Sequence, residues 1–135
     1  MSTEKLSENL SVVSHVSVGT NQFDLAVGFY DAVLKTIGCK QIVSYSGAVG
    51  YGKVFPEFWV QKPIDGKPAT IGNGNHIGFT ANSKEAVNDF YNMLVKCGGE
   101  ADGEPGSRAE YGEAYYGCFG RDLDGNKIEA TFWQE

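Results

Sequence analysis

The chain places short β-branched and aromatic stretches around two long amphipathic ones, and it does so twice. Residues 12–18, VVSHVSV, are largely apolar and end at Gly19, which predicts a strand. In the next stretch Phe23, Ala26, Val27, Tyr30, Val33, Leu34 and Ile37 recur at helical spacing and form one apolar stripe. Thr20 or Asn21 can cap the start of that helix, Asp24 suits the positive end of its dipole, and Gly38 offers a left-handed stop. Three extended pieces follow, KQIVSYS, AVGYGKV and PEFWVQK, divided by glycine or proline as in a β-meander. After a Pro/Gly/Asn-rich loop the order restarts. NHIGFTA predicts a strand, and SKEAVNDFYNMLVKCGG predicts a helix capped by Ser83 with Ala86, Val87, Phe90, Leu94 and Val95 on one face. Weaker extended pieces lie near GEADG and in EAYYGCFGR. The last strand, KIEATFW, is introduced by DLDGN, whose Asp-Gly chemistry suits a hairpin.

The two halves match at one offset. His15 and His76, the only histidines, are 61 residues apart, and so are the Phe29-Tyr30 and Phe90-Tyr91 pairs and the helix-ending glycines Gly38 and Gly99. This predicts an α+β fold of two tandem βαβββ modules forming a curled mixed sheet around a shared cleft. Residues 1–11 are expected to form a flexible leader. Residues 12–135 form a single domain, with module one at 12–63, a linker at 64–74 and module two at 75–135.

Composition narrows the partners. The chain has 135 residues, enough for one compact core. Its net charge of −6, from 11 Lys+Arg against 17 Asp+Glu without a basic cluster, excludes a nucleic-acid surface. No apolar run approaches the roughly 20 residues that cross a bilayer, so no membrane partner is expected. The polar start, MSTEKLSENL, lacks a secretory core, and a cytoplasmic location is expected. Cys39, Cys97 and Cys118 match no zinc or redox spacing and read as reduced thiols in packing.

The segments HVSVGTNQFDLAVGFYDAVL, YGKVFPEFWV, GNGNHIGFTA and YYGCFGRDLDGNKIEATF resemble the vicinal oxygen chelate superfamily. That superfamily includes glyoxalase I, extradiol dioxygenases, and the fosfomycin- and bleomycin-resistance proteins; PEFWV and the YYG.F.RDLDGNKIEA run resemble its small glyoxalase-like members. The resemblance implies one divalent metal ion (Zn, Ni, Fe(II) or Mn) held by His15, His76 and Glu129, with Glu57 as an optional fourth ligand. It implies a metal-dependent glyoxalase-like enzyme of lyase or isomerase type acting on a small oxygen-chelating substrate. The alternatives are an extradiol-type dioxygenase or thiol-transferase on the same fold, and a metal-free, bleomycin-resistance-like binding protein. A homodimer is implied as well, with the cleft built within one chain or across two.

The residues bear on these options directly. In KIEATFW, Ile128, Ala130 and Phe132 alternate with Glu129, Thr131 and Trp133, so the glutamate has its own face, where a carboxylate needs a cation or donor to offset desolvation. Glu57 shares a face with Trp59; a register shift of one pair puts Trp59 at the site and Glu57 at its rim. For an isomerising lyase Glu57 or Glu129 would move the proton beside the carbonyl. Trp59, Tyr111, Tyr115, Tyr116 and Phe119 are candidate substrate walls, and Arg108 could grip an anionic group. With only two histidines, none is spare for the acid–base work of catechol cleavage.

Overall fold

A computed structural model describes residues 10–134; the first nine residues of the leader and the last residue lie outside it. The elements run β1 (Val16–Gly19), α1 (Phe23–Lys35), β2 (Lys40–Tyr45), β3 (Ala48–Gly52) and β4 (Phe58–Gln61), then β5 (His76–Thr80), α2 (Lys84–Lys96), β6 (Glu100–Ser107), β7 (Tyr115–Arg121) and β8 (Lys127–Trp133). A short 3-10 turn, Ala109–Tyr111, precedes β7. The strands form two four-stranded sheets, ordered β1-β4-β3-β2 and β5-β8-β7-β6. In each, the first strand pairs parallel to the last and the rest is antiparallel. The repeated order is the structural form of the 61-residue offset.

The helices form where the apolar stripes predict, and their ends differ in detail. The Ser83 hydroxyl accepts from the Ala86 N–H at 3.0 Å and caps α2. The start of α1 has Gln22 at the cap position with no side-chain bond; the Thr20 hydroxyl instead accepts from the Gln22 N–H at 3.0 Å, two residues before the cap. At the other ends Gly38 and Gly98 take positive φ, 83° and 95°, which a β-carbon would strain. The left-handed residue of the second module is therefore Gly98, one position before Gly99, while Gly99 closes a 2.8 Å bond to the Leu94 carbonyl.

β1 is shorter than the apolar run suggests. Its partner β4 begins at Phe58, just past Pro56, so the ladder starts at Val16 and leaves Val12 and Val13 exposed. β6 is longer than expected, and as an edge strand it tolerates Pro105 and two register shifts.

Both helices and both sheets share one core. Tyr30, Val33 and Leu34 of α1 lie buried with Val87, Phe90 and Leu94 of α2, over Val60, Ile128 and Ala130. Full burial of side chains this size stabilises by about 1.5–3 kcal/mol each. A run of ring contacts crosses between the modules: Tyr30–Phe58 at 4.9 Å, Phe58–Phe79 at 5.0 Å, Phe79–Phe90 at 6.0 Å.

The DLDGN hairpin adds a polar clasp. Buried Asp122 accepts from the Tyr30 hydroxyl at 2.6 Å, from the Asp124 and Asn126 N–H groups, and from the Asn126 amide. The same Asn126 amide donates to the Gly19 carbonyl at 3.1 Å, and Asp124 accepts from the Asn21 N–H at 2.9 Å. Among the described residues no helix is long and apolar enough to cross a membrane, and all three cysteines are free thiols. Burial pushes the Cys118 thiol up to about 11.

Candidate functional site

The chemistry-bearing side chains gather on the face of the second sheet turned away from the helices. Strand alternation sends Ile77 and Phe79 of β5, with Ile128 and Ala130 of β8, into the core. It leaves His76, Lys127 and Glu129 on the other side. Parallel pairing sets His76 opposite Lys127 and Gly78 opposite Glu129. A β-carbon at Gly78 would stand 3.4 Å from the Glu129 Oε1, an ordinary contact, which places that oxygen directly over β5.

Glu129 is only 8% exposed, and two neighbours offset its desolvation. His76 Nε2 lies 3.2 Å from Oε1, an ion pair when the imidazole is protonated. The Tyr115 hydroxyl donates to Oε2 at 2.6 Å. Burial, then this bond to the carboxylate, holds the Tyr115 proton well above the usual tyrosine range. Gly117 makes room for the pair, because a β-carbon there would overlap the Tyr115 hydroxyl. Phe119, opposite Glu129 in the β7–β8 ladder, sets its ring edge-on to the His76 imidazole at 6.3 Å.

The other candidate residues are placed unevenly. The Arg108 guanidinium lies over the Phe119 ring at 5.1 Å and donates to the carbonyls of Gly106, Gly117 and Glu104. Tyr111 is half-exposed and touches Tyr115 edge-on at 5.1 Å. Tyr116 is not brought to this face: one residue along β7 it points to the helix side, where its hydroxyl donates to Asn88 of α2.

On the first sheet, His15 stands exposed just before β1, its Nδ1 3.0 Å from the Ser14 hydroxyl. Glu57 is also exposed, and its backbone carbonyl accepts from the Val16 N–H. Ser17 pairs with Trp59, as Gly78 pairs with Glu129. Trp59 thus occupies the place in module one that Glu129 holds in module two, and Glu57 the place of Lys127. Trp59 stacks on Tyr45 with centroids 6.2 Å apart and planes 7° apart. A cleft of about 320 Å³ runs between the modules, lined by Val16, Ser17 and Val18 on one side and His76, Ile77 and Lys127 on the other. A larger groove of about 750 Å³ has Glu57, Phe58, Ile77 and Phe79 among its walls.

Sequence reasoning missed Lys127 and Tyr45. Lys127 was legible, since period-two alternation puts it on the face of Glu129. Tyr45 carried no such signal, because its stacking depends on how β2 folds back over β3 and β4.

An imidazole and a carboxylate are good donors for a borderline divalent cation, and the Tyr115 bond leaves Oε1 as the freer oxygen. Among the described residues, however, no group of three or more His, Cys, Asp or Glu side chains is close enough to hold an ion. One chain brings His76 and Glu129 together and does not add His15 or Glu57.

Paired βαβββ modules, each a four-stranded mixed sheet with one helix, define a duplicated α+β scaffold, here with an imidazole–carboxylate pair on one sheet face. The chain belongs to the glyoxalase/bleomycin resistance protein/dioxygenase superfamily, whose family model matches residues 12–130. Among solved structures it is similar to a glyoxalase/bleomycin resistance protein from Albidiferax ferrireducens T118, at 38% identity over 90% of this chain and 98% of that one, with a TM-score of 0.79. It shares its fold with a glyoxalase/bleomycin resistance protein/dioxygenase family enzyme from Burkholderia phytofirmans PsJN (17% identity, 91% and 99% covered, TM-score 0.70). The same holds for a lactoylglutathione lyase from Agrobacterium tumefaciens (18% identity, 93% and 96% covered, TM-score 0.63). No curated protein matches the chain.

Proposed function

We propose that the protein is a divalent-metal-dependent enzyme of lyase or isomerase type, acting on a small molecule that presents two neighbouring oxygens. The observation that carries this reading is the His76–Glu129 pair, 3.2 Å apart on an open sheet face, with Tyr115 orienting the carboxylate. A bound divalent cation supplies Lewis acidity toward the substrate oxygens. His76 and Glu129 hold it, and His15, at the matching position of the first module, completes the donor set from a second copy of the chain. Two facts favour a homodimer of this kind: among the described residues no three donors gather in one chain, and His15 stands exposed beside the edge strand β1. Glu57, whose carbonyl holds the Val16 N–H next to His15, enters with His15 from that second copy and moves the proton at the carbon beside the carbonyl. Trp59 and Tyr45 form an aromatic wall.

The test is elemental analysis of freshly purified protein and of His15→Ala and His76→Ala. Stoichiometric metal in the wild type and its loss in both variants supports the reading. Mixing the two variants then regains part of the metal if the site spans two copies. Wild type that carries no metal and takes up none of Zn, Ni, Fe(II) or Mn sinks it. Turnover is sought with a methylglyoxal–glutathione adduct, with catechols, and with thiol-plus-epoxide pairs.

One observation favours a second reading. The Tyr45–Trp59 stack, with Tyr45 exposed and Trp59 half-buried, is a platform for a planar ligand, which a metal-free binding protein would use to sequester an aromatic compound. Tight binding of such a compound by metal-free protein, with no turnover, would establish it.

A further inference from the structure

The open face of the second sheet carries three cations, Arg108, Arg121 and Lys127, against three carboxylates, Glu100, Asp102 and Glu129, and the cations differ in how far they are engaged. Lys127 pairs with Arg121 in the β7–β8 ladder and with His76 in the β5–β8 ladder. Lys127 Nζ and the Arg108 guanidinium both lie about 5 Å from the Phe119 ring, which touches His76. The two arginines are already engaged. Arg108 donates to three backbone carbonyls, and Arg121 to Asp102 at 3.2 Å and to the Gly125 carbonyl. Lys127 is different. Among the described residues the carboxylate within 4 Å of its ammonium is Asp102, at 3.9 Å and already bonded to Arg121. Its side chain is one-third exposed and lines the cleft between the modules beside His76.

We infer that Lys127 holds an anionic group, a carboxylate or a phosphate, carried by the substrate next to the oxygens bound at His76 and Glu129. Arg108 and Arg121 are held by their own partners, and Lys127 supplies the donors. An ammonium suits this task, since it meets an oxyanion as a flexible point charge and needs no fixed plane. That the anionic group adjoins chelating oxygens rests on the proposed function; the anion site itself does not.

The experiment is calorimetric titration of the whole protein with inorganic phosphate and, separately, with acetate. Wild type, Lys127→Met and Lys127→Arg are compared, each checked for an unchanged far-UV spectrum. Wild type is expected to bind at least one anion, Lys127→Met to bind it about tenfold or more weakly, and Lys127→Arg to stay within a few-fold of wild type. The anion that responds identifies the source chemistry. Wild type binding neither anion, or Lys127→Met binding as tightly as wild type, overturns the inference. Lack of metal uptake would sink the functional reading without touching this titration. With metal-loaded protein, dihydroxyacetone phosphate is expected to bind more tightly than dihydroxyacetone, and Lys127→Met to abolish the difference; a preference that survives the substitution counts against Lys127.

Discussion

Replacing Tyr115 with phenylalanine isolates the bond that orients Glu129. The ring keeps its edge contacts with Tyr111 and Trp133, both at 5.1 Å, so no cavity opens and only the hydroxyl is lost. That hydroxyl donates at 2.6 Å to a carboxylate that is 8% exposed. A hydrogen bond to a charged group contributes about 1.5–3 kcal/mol, and leaving Oε2 desolvated without a donor puts the loss at about 2–3 kcal/mol. For a chain of this length that corresponds to a fall in Tm of roughly 8 °C. If Glu129 is a metal ligand, the same change weakens metal affinity about 10- to 100-fold, since an outer partner of a ligand has gone. Urea melts of metal-free protein read the first effect, and competition with a coloured chelator reads the second. Gly117→Ala attacks the same bond from outside, because its β-carbon overlaps the Tyr115 hydroxyl and stands 2.8 Å from the Ala130 carbonyl oxygen. If Tyr115→Phe changes stability by less than about 0.5 kcal/mol, a typical value for a neutral surface change, the assignment of Tyr115 as the partner that offsets Glu129 burial is refuted.

The clasp between the modules makes a second prediction. Asp122→Ala strands the Tyr30 hydroxyl and three N–H donors and should cost about 3–5 kcal/mol in urea melts, with a coupling of about 2 kcal/mol to Tyr30→Phe; additive losses would show that the hub does not join the modules. High pH supplies a third. Burial, then the charge of Asp122, raises the Tyr30 pKa, so the folded chain keeps a proton that the unfolded chain releases near pH 10. The stability this provides is complete below that pH and falls by about 1.4 kcal/mol per pH unit above it, with Tyr51 acting in the same direction. Urea melts at pH 9, 10 and 11, followed by tyrosinate absorbance, should show the fall; a flat profile would contradict it.

Much of this molecule is legible along the chain. The two apolar stripes predict helices that form as α1 and α2, each 13 residues long. The strand KIEATFW spans Lys127–Trp133 as drawn, with Glu129 on the face opposite Ile128 and Ala130. These features are local: a period of 3.6 or 2 needs only neighbouring residues. Tyr115 and Tyr116 show the limit of reading residue type without period, since adjacent strand residues cannot share a face. The Arg108 bonds were beyond reach, because its carbonyl partners depend on the irregular pairing of β6 with β7.

The sequence by itself determined that the fold is written twice, that the copies lie 61 residues apart, and that His15 and His76 are equivalent. Repetition at a fixed offset survives whatever the packing does. Only the tertiary structure decided that Trp59, and not Glu57, takes the place in module one that Glu129 takes in module two. That outcome rests on the register between β1 and β4, strands some 40 residues apart, which packing of the partly buried Val16 and Val18 beside buried Phe58 and Val60 sets from the core side. The same cause separates His15 from the His76–Glu129 pair within one chain: the shared core fixes where each sheet lies, and the edge strands β1 and β5 follow.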